Sequence, residues 1–146
     1  MAKQRQYCLA IGGFDPSGGA GILADIKTIE QHKIYGLGVI TANTIQTDSN
    51  FISANWLPFT QIKSQLELML TTYPINVCKI GLVKSFDQLT KIIDIILTHR
   101  PKIKIIWDPI LSATAGIDFH KEFNIDQLSH ILDCCYLVTP NIPELE

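Results

Sequence analysis

Apolar positions along this chain change period repeatedly. Residues 7–12 (YCLAIG) form a short, mostly apolar run that ends in glycine, as a strand buried on both faces does. Residues 18–33 follow, with Ile22, Ile26, Ile29 and Lys33 at helical spacing, which predicts a helix with one apolar face. Residues 37–44 (LGVITANT) read as a second strand. Residues 58–73 read as a helix, with Ile62, Leu66, Met69 and Leu70 on one stripe and Pro58 suited to its first turn. The cycle continues with a third strand over 76–83 (NVCKIGLV) and a third helix over 86–99. That helix turns Leu89, Ile92, Ile93, Ile96 and Leu97 inward, starts from Ser85 as N-cap and ends before Pro101. A fourth strand (103–107, IKIIW), a short helix (125–132) and a fifth strand (134–139, CCYLVT) come next, and residues 141–146 open another helix.

Strands alternating with helices are the signature of βαβ units and a parallel sheet. Near-continuous apolar strands require cover on both faces, so five strands predict a doubly wound, three-layer α/β/α domain. Composition narrows this little. The 146 residues fit one domain with a real core, since a chain of about 150 residues buries roughly 70% of its unfolded surface. Hydrophobic residues at 47% against 18% charged place the chain among globular rather than disordered sequences. The formal charge, 12 − 14 = −2, argues against a nucleic-acid partner, which needs clustered Lys and Arg. No apolar stretch approaches the roughly 18–20 residues of a membrane span, and the polar opening 1–6 lacks the apolar segment of a secretory signal. Cys8, Cys78, Cys134 and Cys135 show no C-x-x-C spacing. Reduced core thiols in a cytoplasmic protein are the expectation, not a zinc site.

Ligands of open α/β sheets bind beyond the carboxyl ends of the strands, and polar residues gather there. Strand 1 runs into Gly13-Phe14-Asp15-Pro16-Ser17-Gly18-Gly19-Ala20-Gly21. Gln46, Thr47 and Asp48 follow strand 2, Gly81 and Lys84 strand 3, Asp108 strand 4, and Thr139-Pro140-Asn141 with Glu144 strand 5. Lys79 and Lys104 are the exceptional charges inside strand bodies. Four glycines within residues 13–21 allow positive φ and close backbone approach beside a helix N-terminus. Walker A spacing fits Gly13 and Gly18, but Gly19-Ala20 stands where Lys-Ser is needed, so no P-loop forms. Gly19-x-Gly21-x-x-Ala24 matches the dinucleotide fingerprint at the wrong distance from its strand. A glycine turn serving only strand-to-helix packing is the plainer alternative. Asp25 lies about 60° from Ile22 at ~100° per residue, on the border of the apolar stripe. Its carboxylate is placed either to accept a ligand N–H or to face solvent near the positive end of the helix. Gln46 is a ligand contact or an ordinary loop residue. His32, His99, His120 and His130 read as surface residues, and Trp56 and Trp107 as packing residues.

The run Gly12-Gly13-Phe14-Asp15-Pro16-Ser17-Gly18-Gly19-Ala20-Gly21-Ile22, then Ala24-Asp25-Ile26-Lys27-Thr28, resembles the opening of hydroxymethylpyrimidine/phosphomethylpyrimidine kinases of thiamine biosynthesis. These belong to the ribokinase-like superfamily. The resemblance continues through Tyr35-Gly36, Val39-Ile40-Thr41-Ala42, Gln46, Lys79-Ile80-Gly81, Asp108-Pro109-Ile110-Leu111 and Thr139-Pro140-Asn141-x-x-Glu144. Phe14 departs from the Thr or Ser of many members, and Leu82 from the Met of several. The resemblance implies ATP-dependent phosphorylation of 4-amino-5-hydroxymethyl-2-methylpyrimidine and then of its monophosphate. By the family pattern, Gly13, Asp25 and Gln46 hold the pyrimidine's polar edge, and Leu82 and Ile110 line its apolar side. Asp108, Asn141 and Glu144 lie near the phosphates, with Asp108 and Glu144 toward Mg²⁺.

The resemblance also implies a second half, with a further lysine and a G-T-G-C-type anion-hole loop, beyond Glu146. On that expectation residues 1–146 are the N-terminal portion of one kinase domain. They contain no catalytic residue and turn over nothing alone. Three other readings stay open: a pyridoxine or pyridoxal kinase, a non-catalytic pyrimidine-binding module, and a nicotinamide-binding domain resting on Gly19, Gly21 and Ala24. The expected partners are a small pyrimidine and ATP, with a homodimer as an open option.

Overall fold

Small residues on one side of the first two strands decide where the first helix sits. The computed structural model describes residues 5–110, 112–113, 117–118 and 124–144. In β1 (Tyr7–Phe14) and β2 (Tyr35–Gln46), Leu9, Ile11, Leu37 and Val39 point to one face, and Ala10, Gly12, Gly36 and Gly38 to the other. Ile22 and Ile26 of α1 (Gly21–Gln31) lie against that glycine floor. A Cβ added at Gly36 or Gly38 would come within 3.2 or 3.1 Å of Ile26, so a larger residue would push the helix away.

The opposite face carries the larger core. There α2 (Phe59–Thr72), α3 (Phe86–His99) and α4 (Ile125–Cys134) cover the sheet. Leu89, Ile92, Ile93 and Ile96 of α3 are fully buried, each contributing about 1.5–3 kcal/mol by removal from water. The sheet order is β3-β2-β1-β4-β5-β8, where β3 is Phe51–Trp56, β4 Val77–Ile80, β5 Lys104–Trp107 and β8 Leu137–Val138. The pairs β1–β2, β1–β4, β4–β5 and β5–β8 are parallel. Helices on both faces complete the expected three layers. Among the described residues, no helix is long and apolar enough to cross a membrane.

Four expectations are corrected. The sheet has six strands, not five: β3 (Phe51–Trp56) pairs antiparallel with β2 at the edge. Its residues are only partly buried, so it lacks the apolar run that marked the others. A Thr47 to Asn50 turn closes this hairpin, with the Thr47 N–H donating to the Asn50 carbonyl at 2.8 Å. The third strand stops at Ile80, and after Gly81 the chain turns so that the Leu82 carbonyl accepts from the buried Thr41 hydroxyl at 2.6 Å. Cys134 closes α4 rather than opening the last strand, because pairing with β5 begins at Tyr136, whose N–H donates to the Ile105 carbonyl at 2.8 Å. A two-stranded hairpin, β6 (Ser112–Ala113) with β7 (Ile117–Asp118), was not expected at all. Residues 142–144 form a single 3₁₀ turn. Leu111, His120 and residues 1–4 and 145–146 lie outside the described residues.

The expected N-cap is present: Ser85 takes an extended backbone, and its hydroxyl accepts from the Gln88 N–H at 3.2 Å. Ser85→Ala is expected to cost about 1 kcal/mol, read as a lower urea midpoint with an unchanged slope.

Candidate functional site

Between β1 and α1 the chain must turn sharply, and it does so around one carboxylate. Asp15 is 4% exposed. Its Oδ1 accepts from the Ser17 N–H and the Ser17 hydroxyl, each at 2.8 Å, and its Oδ2 accepts from the Ala20 N–H at 2.9 Å. No side chain caps α1 from the ordinary N-cap position, so Asp15 does the equivalent work from five residues upstream. Burial pushes the Asp15 carboxyl upward, but hydrogen bonds from Ser17, Gln46 and Ala20 outweigh it and hold the group below its ordinary value. Gly18 and Gly21 complete the turn in the left-handed region, at φ of 70° and 58°.

This loop forms one wall of a cleft of about 670 Å³ at the carboxyl ends of the strands, where open α/β sheets bind ligands. Gly13, Gln46, Leu82 and Ile110 line it, and so do Asp108, Asn141 and Glu144. Seven of the eight residues singled out in the sequence therefore meet in one place. Leu82 sits so close to Gly13 that a Cβ there would come within 2.9 Å of Leu82 Cδ2. Asn141 and Glu144 cap each other: the Glu144 N–H donates to Asn141 Oδ1 at 3.0 Å, and the Asn141 N–H donates to Glu144 Oε2 at 2.9 Å. This reciprocal pair is a capping box around the 3₁₀ turn, and it fixes the Glu144 carboxylate at the rim.

Asp25 is the eighth residue, and it does not line the cleft. It lies in the second turn of α1, where both of its oxygens accept from Lys79 Nζ, at 3.0 and 3.1 Å. The same ammonium lies 3.0 Å from Asp108 Oδ2. Alternation along β4 explains the meeting: Cys78 and Ile80 enter the larger core, so Lys79 must face α1. Burial lowers the Lys79 pKa, but the charges and hydrogen bonds of Asp25 and Asp108 together leave it raised. Asp108 Oδ1 also accepts from the Thr139 hydroxyl at 3.4 Å.

Sequence reasoning noted Asp15, Thr47, Asp48 and Lys79 without giving them a role, and did not name Ser49 to Phe51, which also border the cleft. Two signals pointed to Lys79 and Asp15: a lysine within an apolar strand, and an Asp two residues before a Ser at a turn, the Asx-turn pattern. His32 and His130 are exposed, and the His99 ring contacts the Ile95 carbonyl at 2.9 Å. Trp107 is buried edge-on to Phe86. With the strand continuing to Phe14, Gly19 still lies well past its end, and α1 begins only at Gly21.

The phosphomethylpyrimidine kinase family profile matches residues 15–146. A hydroxymethylpyrimidine/phosphomethylpyrimidine kinase of Aquifex aeolicus is 33% identical over 139 residues, covering 94% of this chain and 54% of that protein. The chain thus spans about half the length of the curated relatives it matches. A crystal structure of phosphomethylpyrimidine kinase from Clostridium difficile superimposes with a TM-score of 0.82 at 34% identity, over 96% of this chain and 61% of that one. A Staphylococcus aureus pyridoxal kinase in complex with AMP-PCP and pyridoxal shares the fold, with a TM-score of 0.77 at 23% identity over 97% of this chain and 50% of that one. The architecture is the ribokinase-like one, and on the extent of the profile match and the identity to its relatives the chain belongs to the phosphomethylpyrimidine kinase family.

Proposed function

We propose that this chain supplies the pyrimidine-facing part of a kinase that phosphorylates 4-amino-5-hydroxymethyl-2-methylpyrimidine and then its monophosphate, using ATP, in thiamine biosynthesis. The observation that carries this reading is one cleft in which an amide, an apolar clamp and two carboxylates converge in a member of this family. Leu82 and Ile110 sandwich the ring, with Gly13 leaving room for close approach. Gln46 offers both a donor and an acceptor, which an aminopyrimidine edge requires. Asp25 stands behind that edge: it does not line the cleft, and Lys79 joins its carboxylate to Asp108, which does.

In the reaction the hydroxymethyl oxygen forms a bond to the γ-phosphorus, the bond from that phosphorus to the bridging oxygen breaks, and ADP leaves as the hydroxyl proton is released. Asp108 and Glu144 present hard oxygen donors on the cleft wall, the ligand type that Mg²⁺ takes, and would hold it there. Bound there, Mg²⁺ supplies charge neutralisation to the phosphates. Asn141 keeps the Glu144 carboxylate turned to the rim for that purpose. We assign the nucleotide-facing half and the catalytic base to sequence other than residues 1–146, and the assembled protein to the cytoplasm.

Calorimetric titration of the chain with the hydroxymethylpyrimidine and with pyridoxine tests the ring assignment. The pyrimidine is expected to bind at least tenfold more tightly, because a site built to pair an amide rejects a ring that leaves it unpaired. A preference for pyridoxine overturns the substrate, and turnover of ATP at an ordinary kinase rate by residues 1–146 alone overturns the division of labour.

A further inference from the structure

Lys79 pairs with two carboxylates, one of which lines this cleft, and the mechanism above gives it no task. Its ammonium has three N–H donors. They are directed at Asp25 Oδ1 and Oδ2, 3.0 and 3.1 Å away, and at Asp108 Oδ2, 3.0 Å away. Lys79 and Asp25 are partly shielded, at 22% and 21% exposure, and Asp108 is more open at 36%. Their nearest carboxylate oxygens both lie 3.0 Å from one nitrogen, so they are no more than about 6 Å apart (twice 3.0 Å). Two carboxylates that close repel unless a cation sits between them. Asp15 and Glu144 add further negative charge to the same cleft. The position is also cramped: a Cβ on Gly81 would come within 3.3 Å of Lys79 Nζ.

We propose that Lys79 is a positioning residue whose single ammonium ties Asp25 to Asp108 and offsets one of their two charges, so that a phosphate-bearing ring can lie against Asp108. The ammonium joins a carboxylate behind the ring edge to the one on the cleft wall that is assigned to the phosphates. It holds the Asp25–Lys79–Asp108 cluster at a net charge of −1 rather than −2. Lys79 thereby matters more for a ligand that carries phosphate than for the same ring without it. The inference rests on the pyrimidine reading of the cleft.

The test is the ratio of two dissociation constants, measured by calorimetry on the 146-residue chain for the hydroxymethylpyrimidine and for its monophosphate. Contacts to the ring cancel in this ratio, so it reads the charge beside the phosphate. Lys79→Met, close in length but uncharged, is expected to weaken the monophosphate at least tenfold more than the alcohol. Lys79→Arg, which keeps the charge, is expected to hold the ratio within about threefold of wild type. The double variant Lys79→Met with Asp25→Asn returns the cluster to −1 and is expected to recover most of the ratio, even if it binds both ligands more weakly. Equal weakening of both ligands by Lys79→Met, or an unchanged ratio, overturns the proposal and leaves Lys79 a structural residue. If Lys79→Met does not fold by circular dichroism, the double variant decides: a ratio still tenfold below wild type overturns the charge account, and a restored one supports it. A wild-type chain that takes up neither ligand overturns the pyrimidine reading and this proposal with it, whereas wild-type binding with the wrong variant pattern overturns this proposal alone.

Discussion

Gly21→Ala is expected to destabilise the chain by about 3 kcal/mol or more and to abolish binding in the cleft. Two costs combine. Gly21 sits at φ 58°, where an L-residue with a Cβ pays roughly 1–2 kcal/mol. In addition, that Cβ would run into the Gly13 carbonyl oxygen, with the Gly13 carbonyl carbon at 3.2 Å and the Asp15 nitrogen at 3.4 Å. These obstacles are backbone, so no rotamer change relieves them, and either β1 or the start of α1 must move. Gly13 and Leu82 form one wall of the cleft, which therefore distorts with the loop. Gly19→Ala is the control, because its nearest neighbour would be Ser17 Oγ at 3.6 Å, an ordinary contact. Urea unfolding of both variants checks this. Similar midpoints for the two would remove the strained turn from the account.

Asp15→Ala is expected to cost about 2–3 kcal/mol, through charge-assisted hydrogen bonds that no other side chain replaces. The Ser17 and Ala20 N–H groups and the Ser17 hydroxyl lose their acceptor. They are near solvent, so water takes part of the role, and the loss stays below that of a fully buried charge. The effect has a pH signature. The folded carboxyl titrates below its ordinary value of 3.8, so the unfolded chain binds this proton at higher pH than the folded one does. The contribution is complete above the unfolded value and is lost as pH falls through the folded one. Wild-type stability should therefore decline below about pH 4, while Asp15→Ala shows a shallower decline and converges on wild type in strong acid. Parallel curves for the two proteins would contradict the hydrogen-bond account of this residue.

The elements legible in the chain were those whose burial is one-sided and local. The helix over Phe86–His99 came out with its bounds and its Ser85 cap because Leu89, Ile92, Ile93 and Ile96 recur at helical spacing between a capping serine and a proline. The strand over Phe51–Trp56 did not, because its partner on one side is β2 and on the other is solvent, which leaves its residues mixed in polarity. The polar turn before it was its visible mark. Strand ends were also poorly defined. Residues 81–83 and Cys134 are as apolar as their neighbours, and only the hydrogen-bond partners available in β1, β2 and β5 decide where pairing stops.

For the candidate site the division is similar. By itself the sequence determined that polar residues stand at the carboxyl ends of a set of parallel strands, and strand spacing brings Gly13, Gln46, Asp108, Asn141 and Glu144 to one cleft, while Leu82 and Ile110 were named by the family resemblance. It also determined the glycine turn, since glycine takes the positive φ of Gly18 and Gly21 at no steric cost. Tertiary structure decided which charges meet. Asp25 and Lys79 are 54 residues apart in the chain, and whether that aspartate faces a ligand, solvent or an ammonium depends on which side of β4 points at α1. That side is set by Cys78 and Ile80 entering the opposite core and by the glycine floor that draws α1 against the sheet. Ion pairing across elements follows from packing, and packing is a property of the assembled layers, not of any one segment.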